Sequence, residues 1–501
     1  QGSKRHLNVR GMFLLRTNFI LGLTFALAAM VPRANAEEIA FSLSEDELWE
    51  FVKTEVSLES FALLSLPQQK MLANALAGPA EYSLQRAFCF SGPMPSDFMR
   101  VFNSTVFGDH KFDEITSTWT TTATIFCFIQ RGAPRTITYS FIPDGTSIPG
   151  NGAEPTSDSD LFAFLNGIYP TEAAWQAVFA EVFADWSAIT GTTYEMVADD
   201  GAAFPGSGGV AGVRGDVRIG GHFIDGAAGN NTLAYNYFPV FGGDMVIDTS
   251  NGGFYGNLSN DSLNLRNVVA HEHGHGMGMP HVCPRNRTKL MEPTITTLFD
   301  GPQLDDRISA QKHYGDRYAG NTGVGFAHDL GTIFDEEIVE EELSLHGSYV
   351  TDISAQDWFR FTLTQIHDIR ITVEPVGETY LSGPQDEACN TGAIFNTQTL
   401  MDIDFEFFGV GASPHLIADA NPAGVAETIT HLRGGPGNYH VRILSDDSTS
   451  NVQEYRLTVR ADLVRPDAVP DSSASIDADE VLTVTQGDLY YRDANDGALE
   501  R

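Results

Sequence analysis

The sequence is poor in basic residues, in cysteine and in long hydrophobic runs, and each scarcity excludes a class of protein. Among 501 residues there are 30 lysines and arginines against 66 aspartates and glutamates, a formal net charge of −36. Nucleic acid and anionic membranes repel so acidic a chain, so neither is expected as a partner. The hydrophobic fraction of 42% is that of an ordinary globular protein, which excludes wholesale disorder.

Only four cysteines are present: Cys89, Cys127, Cys283 and Cys389. None belongs to a CxxC pair, which argues against a cysteine-based zinc site. An even number of cysteines in an exported chain allows two disulfides. Because Cys89 and Cys127 share the local sequence FCF, we expect these two to pair.

A single apolar run, TNFILGLTFALAAMV, lies near the start and follows a basic stretch. It is short for a membrane span, and it is followed by Ala-Asn-Ala at residues 34–36, a small-x-small site of the kind that signal peptidase cuts. We therefore predict that residues 1–36 are a signal peptide. The mature protein is then secreted and extracellular, with no stable membrane anchor. The alternative is that the run itself anchors the chain in a membrane.

Residues 37–113 contain two segments with helix-like apolar spacing. A region of this size behind a signal peptide is either a propeptide or an extension that stays attached. From 114 to 320 the pattern mixes short strands with long helices. Helical spacing occurs in three segments: 173–190, 263–277 and 305–315.

A linker rich in glycine and asparagine lies near residues 318–326. Beyond it, residues 325–461 alternate with period two between turn residues, which predicts an antiparallel β-sandwich. Residues 462–501 form an acidic tail, to which we assign no structure. The whole pattern predicts an α+β protein with an accessory β domain.

The stretch HEHGHGMGMPH, residues 271–281, carries most of the chemistry. His271 and His275 are four residues apart, so a helix places both imidazoles on one face, where they can bind one zinc ion. Glu272 is offset from the metal, yet it can reach a water bound to the metal. Its carboxylate can take a proton from that water and deliver it to a leaving amine.

A catalytic zinc site needs a third protein ligand, and the chain offers His281. Gly278 can adopt a positive φ and end the helix, and Pro280 keeps the helix from resuming. We therefore predict His271, His275 and His281 as zinc ligands. Glu272 is the predicted general base. The remaining histidine, His273, points away from the metal face and is expected at the surface or behind the ligands.

The pattern His-Glu-x-x-His-x-x-Gly-x-x-His resembles the signature of the metzincin metallopeptidases. KLMEP places Met291 ten residues after His281 and resembles the methionine turn of the matrixin branch. LDDRISAQKHYG, residues 304–315, is similar to the matrixin C-terminal helix. The resemblance covers about residues 115–320. It implies a mixed twisted sheet with three helices, a catalytic zinc ion, and a protein or peptide as substrate.

Two positions depart from the matrixin pattern. Matrixins hold a second, structural zinc with histidines on the strands before the motif, where this chain has Tyr235 and Val246. A structural zinc is therefore not expected. Three aspartates in the same region are either calcium ligands or solvated turn residues: Asp225, Asp244 and Asp248.

Two further segments bear on the resemblance. No PRCGxPD switch is present before the catalytic region, so Cys89 as a zinc-blocking thiol is the alternative to its disulfide. GSYVTDISAQDWFRFTL, residues 347–363, resembles the bacterial pre-peptidase C-terminal type of domain, which accompanies secreted peptidases.

Taken together, the residues predict a secreted zinc endopeptidase. Its peptide substrate would lie extended along the strand near Leu233–Ala234 and pair with it through backbone hydrogen bonds. The alternative is a non-catalytic secreted binding or adhesion protein with a relic zinc domain, against which the intact Glu272 speaks. A third hypothesis is a zinc hydrolase acting on a non-peptide amide.

Overall fold

The computed structural model describes residues 86–90, 117–126, 131–150, 154–227, 231–346, 356–383, 389–409, 414–445 and 451–464, with a few isolated positions besides. The chain divides into two compact units. The first runs to Arg317 and also takes in Tyr380–Phe395, and the second holds the rest. Within the described ranges no helix is long and apolar enough to cross a membrane. The signal segment 1–36 and nearly all of 37–85 lie outside the described residues.

A six-stranded sheet frames the first unit, with the spatial order β1-β7-β8-β6-β2-β5. The three pairs on the β5 side are parallel. The β7–β8 and β1–β7 pairs are antiparallel, so the sheet is mixed as expected. A two-stranded ribbon, β3–β4, lies outside it. The strands are β1 (Arg86–Phe90), β2 (Arg135–Phe141), β3 (Ser147–Ile148), β4 (Ser157–Asp158), β5 (Thr192–Met196), β6 (Val217–His222), β7 (Thr232–Tyr237) and β8 (Met245–Asp248).

Three long helices and two short ones pack with this sheet. They are α1 (Leu161–Asn166), α2 (Glu172–Ile189), α3 (Gly252–Tyr255), α4 (Ser259–Gly276) and α5 (Leu304–Tyr314). Thr171 caps α2 by accepting a hydrogen bond from the backbone N–H of Ala174. The apolar face of α2 is buried, and Trp175, Phe179 and Trp186 have no exposed surface. Burying each such side chain stabilises the fold by about 1.5–3 kcal/mol or more.

Helix α4 carries the metal motif and is buried along nearly its whole length. Its first turn is irregular, since Asn260, Asp261 and Ser262 all have positive φ. Regular helix therefore begins at Leu263, where the apolar spacing of the sequence starts. A helix enclosed on all sides is held by packing, because its own glycines weaken it.

Two sheets build the second unit and share one hydrophobic core. Strand β11 shows the expected alternation: Phe359, Phe361 and Leu363 are buried, while the residues between them face outwards. All pairs are antiparallel except β9–β11, which is parallel and departs from the prediction. The orders are β10-β19-β12-β17 and β16-β15-β18-β11-β9. The strands are β9 (His328–Thr332), β10 (Glu336–His346), β11 (Gln356–Leu363), β12 (His367–Pro375), β15 (Asp404–Phe408), β16 (Pro414–Ala418), β17 (Glu427–Gly434), β18 (Gly437–Leu444) and β19 (Val452–Leu463).

A two-stranded hairpin interrupts the second unit in sequence, formed by β13 (Thr379–Ser382) and β14 (Ala393–Asn396). Most of it, Tyr380–Phe395, belongs to the first unit, which period-two spacing could not indicate. Three short strands also pair with one another in the tail: β20 (Asp467–Ala468), β21 (Tyr491–Arg492) and β22 (Leu499–Glu500).

The hairpin is covalently joined to the segment that follows the metal motif. Cys283 and Cys389 form a disulfide, and Cys89 is a free, buried thiol. The predicted Cys89–Cys127 pair is therefore wrong. The identical FCF surroundings did not indicate that strand β1 places Cys89 against helix α4, inside the core of the first unit. Backbone hydrogen bonds flank the disulfide, with the N–H of Arg285 donating to the carbonyl of Cys389 at 2.8 Å.

We expect Cys389→Ser to lower the free energy of unfolding by about 2–4 kcal/mol, because the lost bond closes a very long loop. The two cysteines are 106 residues apart in sequence. Chemical denaturation of the full chain, followed by fluorescence, measures the loss. Cys127→Ser is the control, since it destabilises the protein only if the Cys89–Cys127 pairing exists. A destabilised Cys127→Ser beside an unchanged Cys389→Ser would contradict the assignment.

Candidate metal centre

Three imidazoles meet at the end of helix α4. His271 and His275 project from successive turns, and the third ring, that of His281, comes from the chain beyond the helix. The Nε2 of His271 lies 3.1 Å from that of His275 and 3.3 Å from that of His281. The ligand atoms of all three lie within 4.8 Å of one another, and all three side chains are buried.

A glycine turn brings the third ring back to the first two. Helix α4 ends at Gly276, and Gly278 has a φ of +98°. The N–H of Gly278 donates to the carbonyl of His275 at 2.8 Å, and the N–H of Met279 donates to Gly274 at 3.0 Å. These bonds close the helix C-terminus. A side chain at position 278 would strain this left-handed backbone, so the reversal depends on glycine.

Backbone carbonyls fix the orientation of two of the rings. The Nδ1 of His271 lies 2.7 Å from the carbonyl of Leu290, and the Nδ1 of His275 lies 2.6 Å from that of Met279. A carbonyl only accepts, so each Nδ1 carries the proton and each Nε2 presents its lone pair to the centre.

Burial keeps the three rings neutral. It lowers the pKa of His271 to about 4. The pKa values of His275 and His281 are also lowered well below the ordinary value, first by burial and then by the neighbouring rings. Neutral imidazole is the form that binds metal. Tetrahedral zinc with bonds of about 2.0–2.1 Å places its ligand nitrogens roughly 3.3 Å apart, so this donor set fits zinc.

Glu272 lies beside the three rings as a buried carboxyl group. Neither of its oxygens has a hydrogen bond of ordinary geometry within the part of the chain that the structure describes. Burial raises the pKa of Glu272 to about 8, while the adjacent thiol and backbone amide of Cys89 oppose part of that rise. A cation held by the three rings would favour the ionised carboxylate. An ionised, unpaired carboxylate next to a metal site can accept a proton from a metal-bound water.

The methionine turn lies directly beneath helix α4. Asp306 of α5 holds the turn, because its carboxylate accepts hydrogen bonds from the backbone N–H groups of Leu290 and Met291 at 2.8 and 3.0 Å. A Cβ at Gly274 would lie 2.3 Å from the sulfur of Met291. Gly274 therefore lets the methionine lie against the helix between the two ligands, a requirement that spacing alone does not show.

Gly276 serves a second close approach, towards strand β7. A Cβ there would lie 2.9 Å from the side-chain nitrogen of Asn236. The Gly276 carbonyl also accepts a hydrogen bond from the indole of Trp119 at 2.8 Å. The glycines of the motif thus allow the metal helix to lie against its neighbours on two sides.

His273 is buried, so of its two expected positions the one at the surface is wrong. Its Nε2 lies 2.6 Å from the hydroxyl of Tyr194, and its ring meets Phe183 edge-on with 4.9 Å between centroids. The reason is that α4 is covered on the face opposite the metal as well, here by α2 and β5. A polar residue on that face satisfies a neighbouring hydroxyl and does not reach solvent.

A hydrogen-bonded cluster occupies the region where matrixins hold their structural zinc. The Nε2 of His222 lies 2.7 Å from Glu154, and its Nδ1 lies 2.8 Å from the hydroxyl of Ser157. Tyr235 donates to the same carboxylate oxygen of Glu154 at 2.7 Å. Both nitrogens of the histidine ring are therefore engaged with protein groups.

The three aspartates proposed as calcium ligands are held by backbone amides. Asp244 and Asp248 are buried, so the view that they are solvated turn residues is wrong for both. Asp244 accepts from the N–H of Arg218 at 2.9 Å, and burial raises its pKa to about 7. Asp225 accepts from Thr232, and burial raises its pKa to about 7 as well.

The chain from residue 166 to residue 315 matches the family model described as matrixin, of the M10 peptidases. The match spans helices α2, α4 and α5 and all three histidines. It confirms the resemblance that the zinc motif and methionine turn carry. No curated protein matches the sequence.

Two solved structures resemble part of the chain weakly. The pre-peptidase C-terminal domain of a collagenase from Bacillus anthracis has 15% identity and a TM-score of 0.18, covering 27% of this chain and 94% of its own. A periplasmic inhibitor of g-type lysozyme from Aeromonas hydrophila has 12% identity and a TM-score of 0.17, covering 27% of this chain and 96% of its own. At these scores neither likeness carries a conclusion.

We expect Gly274→Ala to destabilise the first unit by about 1–3 kcal/mol, because the added methyl group must displace the Met291 sulfur. Denaturation of the metal-free protein measures this loss. Chelator competition is expected to show weaker zinc binding as well, since the helix carrying His271 and His275 must shift. Gly253→Ala is the control, because a Cβ at that position meets nothing within 4 Å. Equal stability of the two variants would contradict the packing argument.

Proposed function

We propose that this protein is a secreted zinc-dependent endopeptidase. The observation that carries the proposal is a buried carboxyl group, Glu272, that has no hydrogen bond of ordinary geometry among the described residues and lies beside three convergent neutral imidazoles. A purely structural metal site has no use for an unpaired carboxylate, which costs free energy when buried. The match of this region to the matrixin model supports the same activity.

His271, His275 and His281 would hold the ion, and the carbonyl-bound Nδ1 protons of His271 and His275 keep those two rings in position. A bound zinc ion supplies Lewis acidity and lowers the pKa of a coordinated water towards neutrality. Glu272 would accept a proton from a water at this centre and donate it to the nitrogen of the leaving amine. The closed surroundings of α4 exclude bulk water, which strengthens each of these electrostatic interactions.

The substrate we infer is a protein or peptide in extended conformation. Strand β7 lies next to α4 and can pair with a peptide along its outer edge through backbone hydrogen bonds. Strand β1 pairs along that edge, which supports the inference that the edge accepts an extended chain. Recognition through the main chain fits peptide bonds better than other amides.

The domain roles follow from this proposal. Residues 1–36 direct export, and residues 37–113 are a propeptide that includes β1. Residues 114–320 are the catalytic domain, and 325–461 form a β-sandwich accessory domain. The rival proposal, a non-catalytic binding protein with a relic zinc domain, predicts that Glu272 can be replaced without loss of function.

Replacing the general base gives the direct test. Glu272→Gln is expected to keep zinc, because the three ligands are untouched, and to lose about 10²–10⁴-fold in cleavage rate, because no carboxylate remains to move the proton. Casein hydrolysis by the variant and by the parent, both after the same limited trypsin treatment, measures the change. A chelator should abolish the activity of the parent. Unchanged proteolysis by Glu272→Gln would exclude the mechanism.

Metal content provides a separate test of the ligands. We expect one zinc ion per chain, and we expect His275→Ala to remove it. His222→Gln is the matched control, because the ring of His222 is engaged by Glu154 and Ser157, and its zinc content should stay at one. Mass spectrometry of the metal content of the purified chains distinguishes these outcomes. Two ions per chain, one of them lost in His222→Gln, would show that the Glu154 cluster binds zinc.

A further inference from the structure

Strand β1 lies in the proposed peptide-binding cleft and is bonded on both sides. On one side it pairs antiparallel with β7, with Phe88 opposite Tyr235 and Cys89 opposite Ala234. On the other side Phe90 pairs parallel with the chain that follows the methionine turn. The N–H of Phe90 donates to the carbonyl of Pro293, and the N–H of Ile295 donates to that of Phe90, both at 3.4 Å. A short segment of the chain is thus held in an extended conformation between strand β7 and the chain that follows the methionine turn.

The residue of this strand nearest the general base is Cys89, which has no exposed surface. Its backbone amide and its thiol both approach the Glu272 carboxylate. The thiol is not part of the metal-ligand group, since within the described residues only the three histidines converge. The thiol-to-zinc alternative for Cys89 therefore has no geometric support here. The main chain, by contrast, lies where the proposed reaction takes place.

The proposed function requires Glu272 to deliver a proton to the nitrogen of the bond that breaks. The backbone nitrogen that faces Glu272 is that of Cys89, which belongs to the peptide bond between Phe88 and Cys89. We propose that this bond is a self-cleavage site, hydrolysed by the chain's own metal centre while β1 lies in the cleft. The inference rests on the proposed peptidase function and names its first substrate.

The step needs only water as co-reactant. The C–N bond between the carbonyl carbon of Phe88 and the nitrogen of Cys89 breaks, and a new C–O bond forms between that carbon and the water oxygen. One proton of the water passes through Glu272 to the nitrogen. The products are a carboxylate at Phe88 and a new N-terminal amine at Cys89, and no group is oxidised or reduced.

The geometry also makes the cleavage intramolecular. While β1 pairs with β7, a second copy of the chain cannot present its own strand to the same edge. The strand is already held beside the site by its pairing on both sides, and such positioning favours an intramolecular reaction. Once cut, Arg86–Phe88 is no longer joined to Cys89, and among the described residues it is held by its pairing with Tyr235–Tyr237. That short piece of strand can then leave, which opens this part of the edge to other peptides.

The test follows the N-terminus of the full chain over time. The parent and Glu272→Gln are purified without zinc, zinc is added, and intact-mass spectrometry records the fragments. We expect the parent to yield a chain that begins at Cys89, with a first-order rate that does not change over a 100-fold range of protein concentration. A tagged Glu272→Gln chain mixed with the parent should stay uncut, because it cannot cleave itself. Cys89→Ala keeps the backbone amide and should be cut at the same bond.

The alternatives give different results. If casein is cleaved while the Phe88–Cys89 bond stays intact, strand β1 occupies the cleft without being a substrate. In that case this inference fails and the proposed function stands. If neither casein nor the bond is cleaved, both fail. Cleavage of the tagged Glu272→Gln chain, or a rate that rises with concentration, would overturn the intramolecular step. Loss of cleavage in Cys89→Ala would show that the thiol is required and would overturn the assignment to the main chain.

Discussion

Three buried, uncharged imidazoles whose ring nitrogens converge are the constraint on which the first unit depends. Lone pairs on nitrogens about 3 Å apart repel unless a proton or a cation lies between them, so the chain must hold the three rings in place by other contacts. It does so with carbonyl acceptors behind two of the rings and with a helix buried on every side. The cost of enclosing so many polar groups is offset by the aromatic core of α2 and the sheet.

The same constraint explains the glycines of the motif. The methionine turn must lie close beneath the metal helix, so a side chain at Gly274 would collide with Met291. Strand β7 must lie close beside the same helix, so a side chain at Gly276 would collide with Asn236. Each glycine weakens the isolated helix by about 1 kcal/mol relative to alanine. The surrounding contacts compensate for that loss, and the helix that results is stable only within the folded unit.

The features that could be predicted from the sequence are those set by the periodic spacing of apolar residues and by the histidine motif at 271–281. The apolar faces of α2 and α5 gave their bounds to within a residue or two, and the turn at Gly278 followed from the spacing to the third histidine. What could not be predicted depends on contacts between distant segments. The burial of His273, the partner of Cys283, and the approach of Met291 to Gly274 are fixed by which elements pack together, and no periodicity records that. Strand β1 was missed for the same reason, since RAFCF differs little from other apolar stretches until its edge partner is known.

The disulfide between the hairpin and the segment after His281 affects the order in which parts of the first unit can be completed. The segment after His281 is completed by a strand pair whose cysteine is synthesised 106 residues later. A ribosome has therefore produced Tyr318–Thr379, a part of the second unit, before the first unit can form its disulfide. Until then the segment after His281 lacks its disulfide. Strand β1, which is synthesised earlier, is already available to pair with β7. The segment that carries the three histidines is thus contacted by a strand made before it and joined by a disulfide to a hairpin made after it.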